Sequence, residues 1–148
     1  MNRPVRRFLY DTGVFVYALG AQHRYREPCR AILREMQDGR LAGEASVELI
    51  HEFAYVRQRR VRARADAAHW ALRIGRSCRL HVVVPSDMQR ALELWREHER
   101  LDMRDAIFAA QALNRDIDAI LSPDRGFDDV AGLERIDPAD VDALATLR

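Results

Sequence analysis

The stretch from Leu101 to Phe127 constrains the fold more than any other part of this chain. An acidic helix start, with Asp102 as the expected N-cap and Asp105 in the first turn, leads into a run of small and apolar residues. Ile117 to Leu121 then has the composition of a short buried strand, and Asp124 follows it closely. A helix, a buried strand and a carboxylate just past the strand are typical of an open parallel α/β sheet.

The N-terminal part of the chain repeats the second half of this pattern. Arg7 to Tyr10 is an apolar-rich strand candidate, and Asp11 and Thr12 follow it directly. Right-handed crossovers bring the carboxyl ends of parallel strands to one edge of a sheet. The two strands that end in Asp11 and Asp124, with Asp105 opening a helix, therefore predict a shared acidic site.

The rest of the chain alternates helical and strand patterns without a repeat or a linker. The predicted strands are Leu41–Ala45, Leu80–Val84 and Leu133–Ile136, with Leu80–Val84 the clearest of them because it is β-branched. Predicted helices cover Val14–Leu19, Pro28 to Gly39, the residues after the N-cap Ser46, Ala65–Ile74, Ser86 to about Arg100, and a C-terminal segment from Asp137. The helix after Ser86 is expected to carry Met88, Leu92 and Trp95 on one face, and the C-terminal helix is expected to face Val141, Leu144 and Leu147 inward. The pattern predicts one α/β domain over residues 1–148, with about five parallel strands and helices on both faces of the sheet.

Composition excludes several classes of protein. With 48% hydrophobic and 32% charged residues, the 148-residue chain is globular rather than disordered, and a net charge of +1 does not by itself indicate a polyanion partner. The two cysteines, Cys29 and Cys78, form no C-x-x-C motif, which favours structural thiols in a reducing compartment. No secretory signal and no apolar run of membrane-spanning length is visible, so we expect a cytoplasmic protein without membrane association.

Motif searches leave carboxylates as the chemistry that the chain can carry. The phosphate-binding G-x-x-x-x-G-K-[ST], the dinucleotide G-x-G-x-x-G and the G-x-S-x-G elbow are all absent. Response-regulator receivers and haloacid-dehalogenase-like phosphatases rely on a Lys, and all 24 basic residues here are Arg. The five histidines form no H-x-x-x-H pair, which argues against zinc.

Four carboxylates lie at strand ends or helix flanks: Asp11, Glu52, Asp105 and Asp124. Each has an ordinary structural explanation, as a helix-start residue, a turn residue or a solvated helix charge. Close carboxylates repel each other unless a cation lies between them, and Mg²⁺ takes a few carboxylates plus water and phosphate oxygens. Taken together, the four favour a divalent-metal site.

Four sequence blocks in order resemble those of PIN-domain ribonucleases, and most of all the VapC toxins of toxin–antitoxin pairs. The blocks are FLYDTGVFVYAL, ASVELIHEF, DAIFAAQALNRDIDAILSPDRGF and GLERIDP, which together run nearly from end to end. The resemblance implies a PIN-like three-layer sandwich and an endoribonuclease that depends on Mg²⁺ or Mn²⁺. It also implies RNA as substrate, a VapB-like antitoxin as partner and a homodimer.

Carried over from the family, the metal-binding and catalytic acids are Asp11, Glu52, Asp105 and Asp124, with one or two ions left open. The resemblance also assigns supporting roles to Ser122, whose hydroxyl lies near the site, and to Thr12, which adjoins the first Asp. Gly13 departs from the usual Asn or Ser. Glu48 competes with Glu52, and Glu52 is preferred because its spacing from Ser46 fits the family.

Five arginines within eight residues form a basic cluster: Arg57, Arg59, Arg60, Arg62 and Arg64. They could contact RNA phosphates, or they could form a solvated helix end or a dimer or antitoxin contact. Two other functions stay open at this point. One is an RNA- or protein-binding module without useful catalysis, and the other is a structure-specific DNA nuclease with the same acidic site.

Overall fold

The computed structural model describes residues 4–148, so the first three residues of the predicted domain lie outside it. Five short strands form one parallel sheet in the order β3-β2-β1-β4-β5. The strands are β1 (Leu9–Tyr10), β2 (Glu44–Ser46), β3 (Arg79–His81), β4 (Ala119–Leu121) and β5 (Glu134–Ile136). The chain leaves β1 toward β2, whereas β4 pairs on the other side of β1. The carboxyl ends of β1 and β4 therefore form a topological switch point, where α/β sheets place their ligand sites.

Helices cover both faces of the sheet. They are α1 (Thr12–Ala18), α2 (Arg26–Gln37), α3 (Val47–Val61), α4 (Arg64–Arg76), α5 (Pro85–Glu97), α6 (Met103–Asn114) and α7 (Val141–Ala145), with a 3₁₀ turn at Arg125–Asp129. Right-handed crossovers put α1 to α4 on one face and α5 and α6 on the other. The predicted three-layer α/β architecture is thus confirmed. Within residues 4–148, no helix combines the length and apolar character needed to cross a membrane.

Two predicted caps determine the register of the helices near the switch point. The Ser46 hydroxyl accepts a hydrogen bond from the Glu48 amide (3.1 Å) at the start of α3. The Asp102 carboxylate accepts one from the Asp105 amide (2.8 Å) at the start of α6. Each cap satisfies an amide that has no partner within the helix. The first turns of α3 and α6 are therefore held where each helix approaches the strand ends.

Aromatic side chains fill the core around the central strands. Phe8 and Tyr10 contact each other edge to face with ring centroids 5.0 Å apart, and Phe15 from α1 lies 5.3 Å from Tyr10. Phe108 from α6 and Phe127 from the 3₁₀ turn are fully buried as well. Large apolar side chains on both faces of β1 and β4 explain why these strands read as continuous apolar runs rather than alternating ones.

The clearest strand in the sequence is only partly a strand. The prediction over Leu80–Val84 is wrong beyond His81, because β3 ends there at the edge of the sheet and Val84 is the N-cap of α5. The apolar face formed by Met88, Leu92 and Trp95 does not enter the core, since these residues are 37%, 48% and 50% exposed. α5 buries Asp87 and Ala91 instead.

The other differences from the sequence-based predictions concern the residues at which helices begin. α2 begins two residues before Pro28, and α5 begins at Pro85, before the predicted cap Ser86. The C-terminal helix begins at Val141 rather than at Asp137, and Val141 is exposed. Leu144 and Leu147 are buried, as predicted.

Candidate acidic site

The site begins at the adjacent carboxyl ends of β1 and β4. The Asp11 amide donates to the carbonyl of Leu121 (3.0 Å), which extends the pairing of the two strands by one residue. The hydroxyl of Ser122 donates to Asp11 Oδ2 (2.6 Å) and accepts from the amide of Asp124 (2.9 Å). This serine therefore orients the carboxylate of one strand end and the backbone turn that carries the other.

Two helices bring the other two acids to the same place. Asp105 lies in the first turn of α6, directly after the cap formed by Asp102. Glu52 lies in α3, where its carboxylate accepts a hydrogen bond from the Thr12 hydroxyl (2.7 Å) and forms an ion pair with Arg104 (2.8 Å). Thr12 thus supports Glu52, and Ser122 supports Asp11.

All four predicted acids line one open cavity of about 480 Å³. The alternative Glu48 does not line it; its side chain is 49% exposed and faces a neighbouring cavity of about 400 Å³. The structure therefore puts Glu52, and not Glu48, beside the other acids. Further cavity-lining residues include Thr12, Gly13, Tyr17, His23, Arg24, Tyr25, Arg60, Asp102 and Arg104.

Burial and mutual repulsion disfavour the ionised forms of the central acids. Burial raises the pKa of Asp11 most, and the charges of Glu52 and Asp124 raise it further, against the hydrogen bond from Ser122. Burial likewise raises the pKa of Asp105, and Asp11, Asp102 and Asp124 add to the effect. Perturbed carboxylates gathered in a cavity are typical of a functional site.

The donor chemistry of the cavity fits a hard divalent cation. Its acidic side chains offer oxygen donors only, which Mg²⁺ and Mn²⁺ prefer. Across residues 4–148, no group of three or more His, Cys, Asp or Glu side chains is arranged to hold a metal ion by itself. The carboxylates of Asp11, Glu52 and Asp124 are directed instead at internal donors, including the Gly126 amide (2.8 Å). One or two carboxylates plus water and substrate phosphate is the usual ligand set for Mg²⁺, and the cavity suits that arrangement.

The basic cluster of the sequence is divided by the fold. Arg57 binds Asp66 (2.6 Å) and the carbonyl of Leu19 (2.6 Å), so its guanidinium connects α3 to α4 and to the end of α1. The guanidinium of Arg59 donates to the hydroxyl of Tyr55 (2.7 Å). Arg62 caps α3 with a left-handed backbone (φ 55°), and Arg64 begins α4. Of these five arginines, all within the described chain, Arg60 is the one that lines the acidic cavity.

Sequence reasoning missed two parts of the cavity. The first is Arg104, which pairs with Glu52. It lies in the first turn of α6, and nothing in the sequence there indicates that a cationic side chain reaches the acidic site. The loop between α1 and α2, which contributes His23, Arg24 and Tyr25, looked merely polar. Its alternation of aromatic and basic residues, HRYR, was the available signal.

Comparison with known proteins assigns the family. The family model for the PIN domain matches residues 8–133. The chain belongs to the PIN-domain family. Ribonuclease VapC7 of Mycobacterium tuberculosis is 35% identical over 130 residues, covering 86% of this chain and 89% of that protein. Ribonuclease VapC13 of the same organism is 27% identical over 133 residues, covering 86% of this chain and 98% of its own length. The predicted resemblance to VapC ribonucleases is therefore confirmed.

Solved structures share the PIN fold at low sequence identity. DNA-bound VapBC from Salmonella typhimurium matches with a TM-score of 0.65 at 14% identity, covering 90% of this chain and 99% of that one. Mycobacterium tuberculosis VapC20, a toxin that cleaves the sarcin–ricin loop, matches with a TM-score of 0.61 at 22% identity, covering 76% and 86%. These matches show that the PIN domain described here has the same architecture.

Proposed function

We propose that this chain is a single PIN domain over residues 1–148 that acts as a divalent-metal-dependent endoribonuclease, the toxin of a toxin–antitoxin pair. The observation that carries the proposal is the convergence of Asp11, Glu52, Asp105 and Asp124 on one cavity at the switch point of the sheet. VapC relatives that are named as ribonucleases support the reaction class. VapBC complexes among the structural relatives support an antitoxin partner.

In this proposal one or two carboxylates from the set Asp11, Glu52, Asp105 and Asp124 would hold Mg²⁺ or Mn²⁺, together with water and the scissile phosphate. The bound ion would supply a hydroxide at neutral pH and screen the negative charge that develops on phosphorus. Ser122 holds the carboxylate of Asp11, and Thr12 holds that of Glu52, each through a short hydrogen bond. Both hydroxyls hold their acids in place at the cavity against the repulsion between like charges.

Cationic side chains bring the phosphates to an acidic site that would otherwise repel them. Arg60 and Arg104 line the cavity from α3 and α6. Arg104 pairs with Glu52 and Asp102, which hold its charge beside the cavity, and 64% of its side chain is exposed. We assign it to a phosphate of the bound RNA. A cytoplasmic location, a homodimer and a VapB-like antitoxin belong to the same proposal.

A metal-titrated cleavage assay tests the reaction. Single-stranded RNA and DNA are incubated with the wild-type protein and with Asp11→Asn, in chelator and with added Mg²⁺ or Mn²⁺. We expect wild-type protein to cut RNA only with metal, and the variant to lose at least about 100-fold in rate. Cleavage of DNA alone would identify a DNA nuclease. RNA binding without cleavage, together with no stabilisation by metal, would identify a non-catalytic binding module.

A further inference from the structure

A stack of aromatic rings lies beside the acidic cavity. We infer that Tyr17 and His23, supported by Tyr25, form a platform on which a base of single-stranded RNA stacks next to the scissile phosphate. The inference rests on the proposed function for the position of the phosphate. The chemistry that recognises the base, however, belongs to these rings alone.

The three rings form one compact cluster, in which His23 lies nearly parallel to both tyrosines. The centroids of Tyr17 and His23 are 4.4 Å apart with planes inclined by 19°, and His23 and Tyr25 are 6.0 Å apart at 23°. Tyr17 and Tyr25 are 5.8 Å apart at 42°. The two pairs that include His23 are near-parallel and in stacking geometry, whereas the two tyrosines are tilted. A π-face of this kind accepts any nucleobase, because every base has one.

Hydrogen bonds of Tyr25 hold the platform in place. Tyr25 is buried, and its hydroxyl donates to Asp137 (2.8 Å), which connects the loop to the end of β5. The Tyr25 amide donates to Nδ1 of His23 (3.2 Å), so the imidazole is held in one orientation. With Nδ1 as the acceptor, the hydrogen of the neutral ring lies on Nε2. His23 is thus a fixed but exposed ring, and such a ring loses little conformational entropy when a base binds.

Position connects the platform to the chemistry. Tyr17, His23 and Tyr25 line the same cavity as the four acids. Arg24 lies over the ring of Tyr25 at 4.8 Å and lines this cavity as well. A cavity of about 480 Å³ is within the usual range for small-ligand sites. Carboxylates for the metal, guanidinium groups for the phosphates and rings for the bases are the parts that a single-stranded RNA site requires.

A purely structural role explains Tyr25 better than His23. Tyr25 belongs to the buried core, whereas His23 is exposed and lies on the outer side of Tyr17, which itself packs against that core. The chain offers a matched comparison in His69, another exposed histidine beside an aromatic ring. Its ring meets Trp70 edge-on (79°, 5.6 Å) on α4, and neither residue is among those that line the acidic cavity in the described chain. His69 therefore serves as the control position.

The test measures stacking without cleavage. Short single-stranded oligoribonucleotides carrying 2-aminopurine at each position in turn are bound to the full chain in chelator, and both affinity and fluorescence quenching are recorded. Matching oligonucleotides carry an abasic site at the same positions. We expect one position at which 2-aminopurine is quenched and at which base removal weakens binding at least about fivefold.

Variants assign the effect to the ring. His23→Ala should abolish the quenching and weaken binding of the intact oligonucleotide at least about fivefold, while binding the abasic one as wild type does. His23→Phe should restore both signals, and His69→Ala should behave as wild type. Tyr17→Leu, which keeps apolar bulk without a π-face, should reduce the quenching.

Two results would overturn the inference: no quenched position in the wild type, or unchanged quenching and affinity in His23→Ala. A separate cleavage assay with Mg²⁺ or Mn²⁺ distinguishes this failure from failure of the proposed function. Stacking without any RNA cleavage would support the platform and refute the ribonuclease. Cleavage with unchanged quenching in His23→Ala would support the ribonuclease and refute the platform.

Discussion

Buried carboxylates occur at two places in this PIN domain, and their pKa values are shifted in opposite directions. Asp87 on α5 is fully buried, and it accepts hydrogen bonds from Arg115 (2.8 and 2.9 Å), Asn114 (3.0 Å) and the Val84 amide (3.0 Å). Burial opposes its ionisation, but these donors outweigh burial and lower the pKa of Asp87 to about 2. In the acidic cavity, burial raises the pKa of Asp11 and Asp105, and neighbouring acids raise it further.

The difference shows that partners, and not burial alone, decide what a buried carboxylate does. Asp87 has a complete set of donors, so it needs no ligand and serves to hold α5 against the end of α6. Asp105, at the other end of α6, has acids as neighbours and gains from a cation. The ion pair of Asp87 with Arg115 thus stabilises α6 at one end, and the other end of α6 carries Asp105 into the acidic cavity.

Removing Asp87 should have the largest effect on stability. Asp87→Ala leaves the guanidinium of Arg115 without its buried partner, and we expect the free energy of unfolding to fall by about 3 kcal/mol or more. Urea unfolding measures it. Because the folded pKa of Asp87 is depressed, its contribution is present above the ordinary Asp pKa, and the difference between wild type and variant should shrink as pH falls toward about 2.

Asp38→Ala is the matched control for Asp87→Ala, because the pair of Asp38 with Arg40 (2.9 Å) is exposed on both sides. Its loss should cost less than about 1 kcal/mol. Equal losses in the two variants would contradict the structural role that we assign to Asp87.

Asp105→Asn should change stability in the opposite direction. Its raised folded pKa means that folding favours the protonated form, a contribution present at low pH and lost as pH rises through the folded pKa. At neutral pH the metal-free wild type therefore carries a penalty that the variant lacks. We expect the variant to melt higher in chelator, by about 2–4 °C per kcal/mol relieved, to gain less from Mg²⁺ and to lose at least about 100-fold in cleavage.

Thermal melts at several pH values with and without Mg²⁺, alongside a cleavage assay, measure these effects of Asp105→Asn. A variant that melts lower than wild type in chelator and gains as much from Mg²⁺ would reduce Asp105 to a helix-start residue.

Replacing each of the two glutamates of α3 in turn tests which helical turn faces the acidic cavity. Glu52→Gln should lower metal-dependent cleavage about tenfold or more, because Glu52 faces the cavity and is held there by Thr12. Glu48→Gln should retain most of the activity, since Glu48 faces the neighbouring cavity. Initial rates on the same RNA measure both. The reverse order would mean that the acidic site uses the other turn of α3.

The smallest expected effect is on the salt dependence of RNA binding, and it should differ between two arginines of the basic cluster. Arg60→Gln should weaken RNA binding and reduce the salt dependence of the binding constant by about 0.7 in logarithmic slope, as for one lost phosphate contact. Arg57→Gln should leave the slope unchanged and lower the melting temperature, because Arg57 binds Asp66 and the carbonyl of Leu19. Fluorescence titrations at several salt concentrations measure the slope. A slope that falls in Arg57→Gln but not in Arg60→Gln would contradict this division.

Several features could be predicted because their signals are local. Apolar runs that end in Asp11 and in Ser122-Pro-Asp124 predicted adjacent strand ends, and the structure has them at the switch point. Ser46 and Asp102 predicted helix starts through the capping of nearby amides, and both caps are present. Each signal needs contacts over only a few residues, so a single sequence contains it.

Features that depend on sheet order could not be predicted. Leu80 to Val84 has the composition of a central strand, yet β3 lies at the edge of the sheet, where its side chains are half-exposed. The outward face of α5 and the stack of Tyr17 on His23 likewise depend on how distant segments pack.

Asp87 and Asp105 show the limit most clearly. Both are the third residue of a helix, in the first turn, and the sequence around each favours an acid there. Asp87 then meets Arg115, 28 positions along the chain, which lowers its pKa to about 2. Asp105 instead is buried beside Asp11 and Asp124, and burial together with these charges raises its pKa. The sequence by itself determined that an acid begins each helix; only the tertiary structure decided which acid is neutralised and which awaits a cation, because the charge that decides comes from a distant segment.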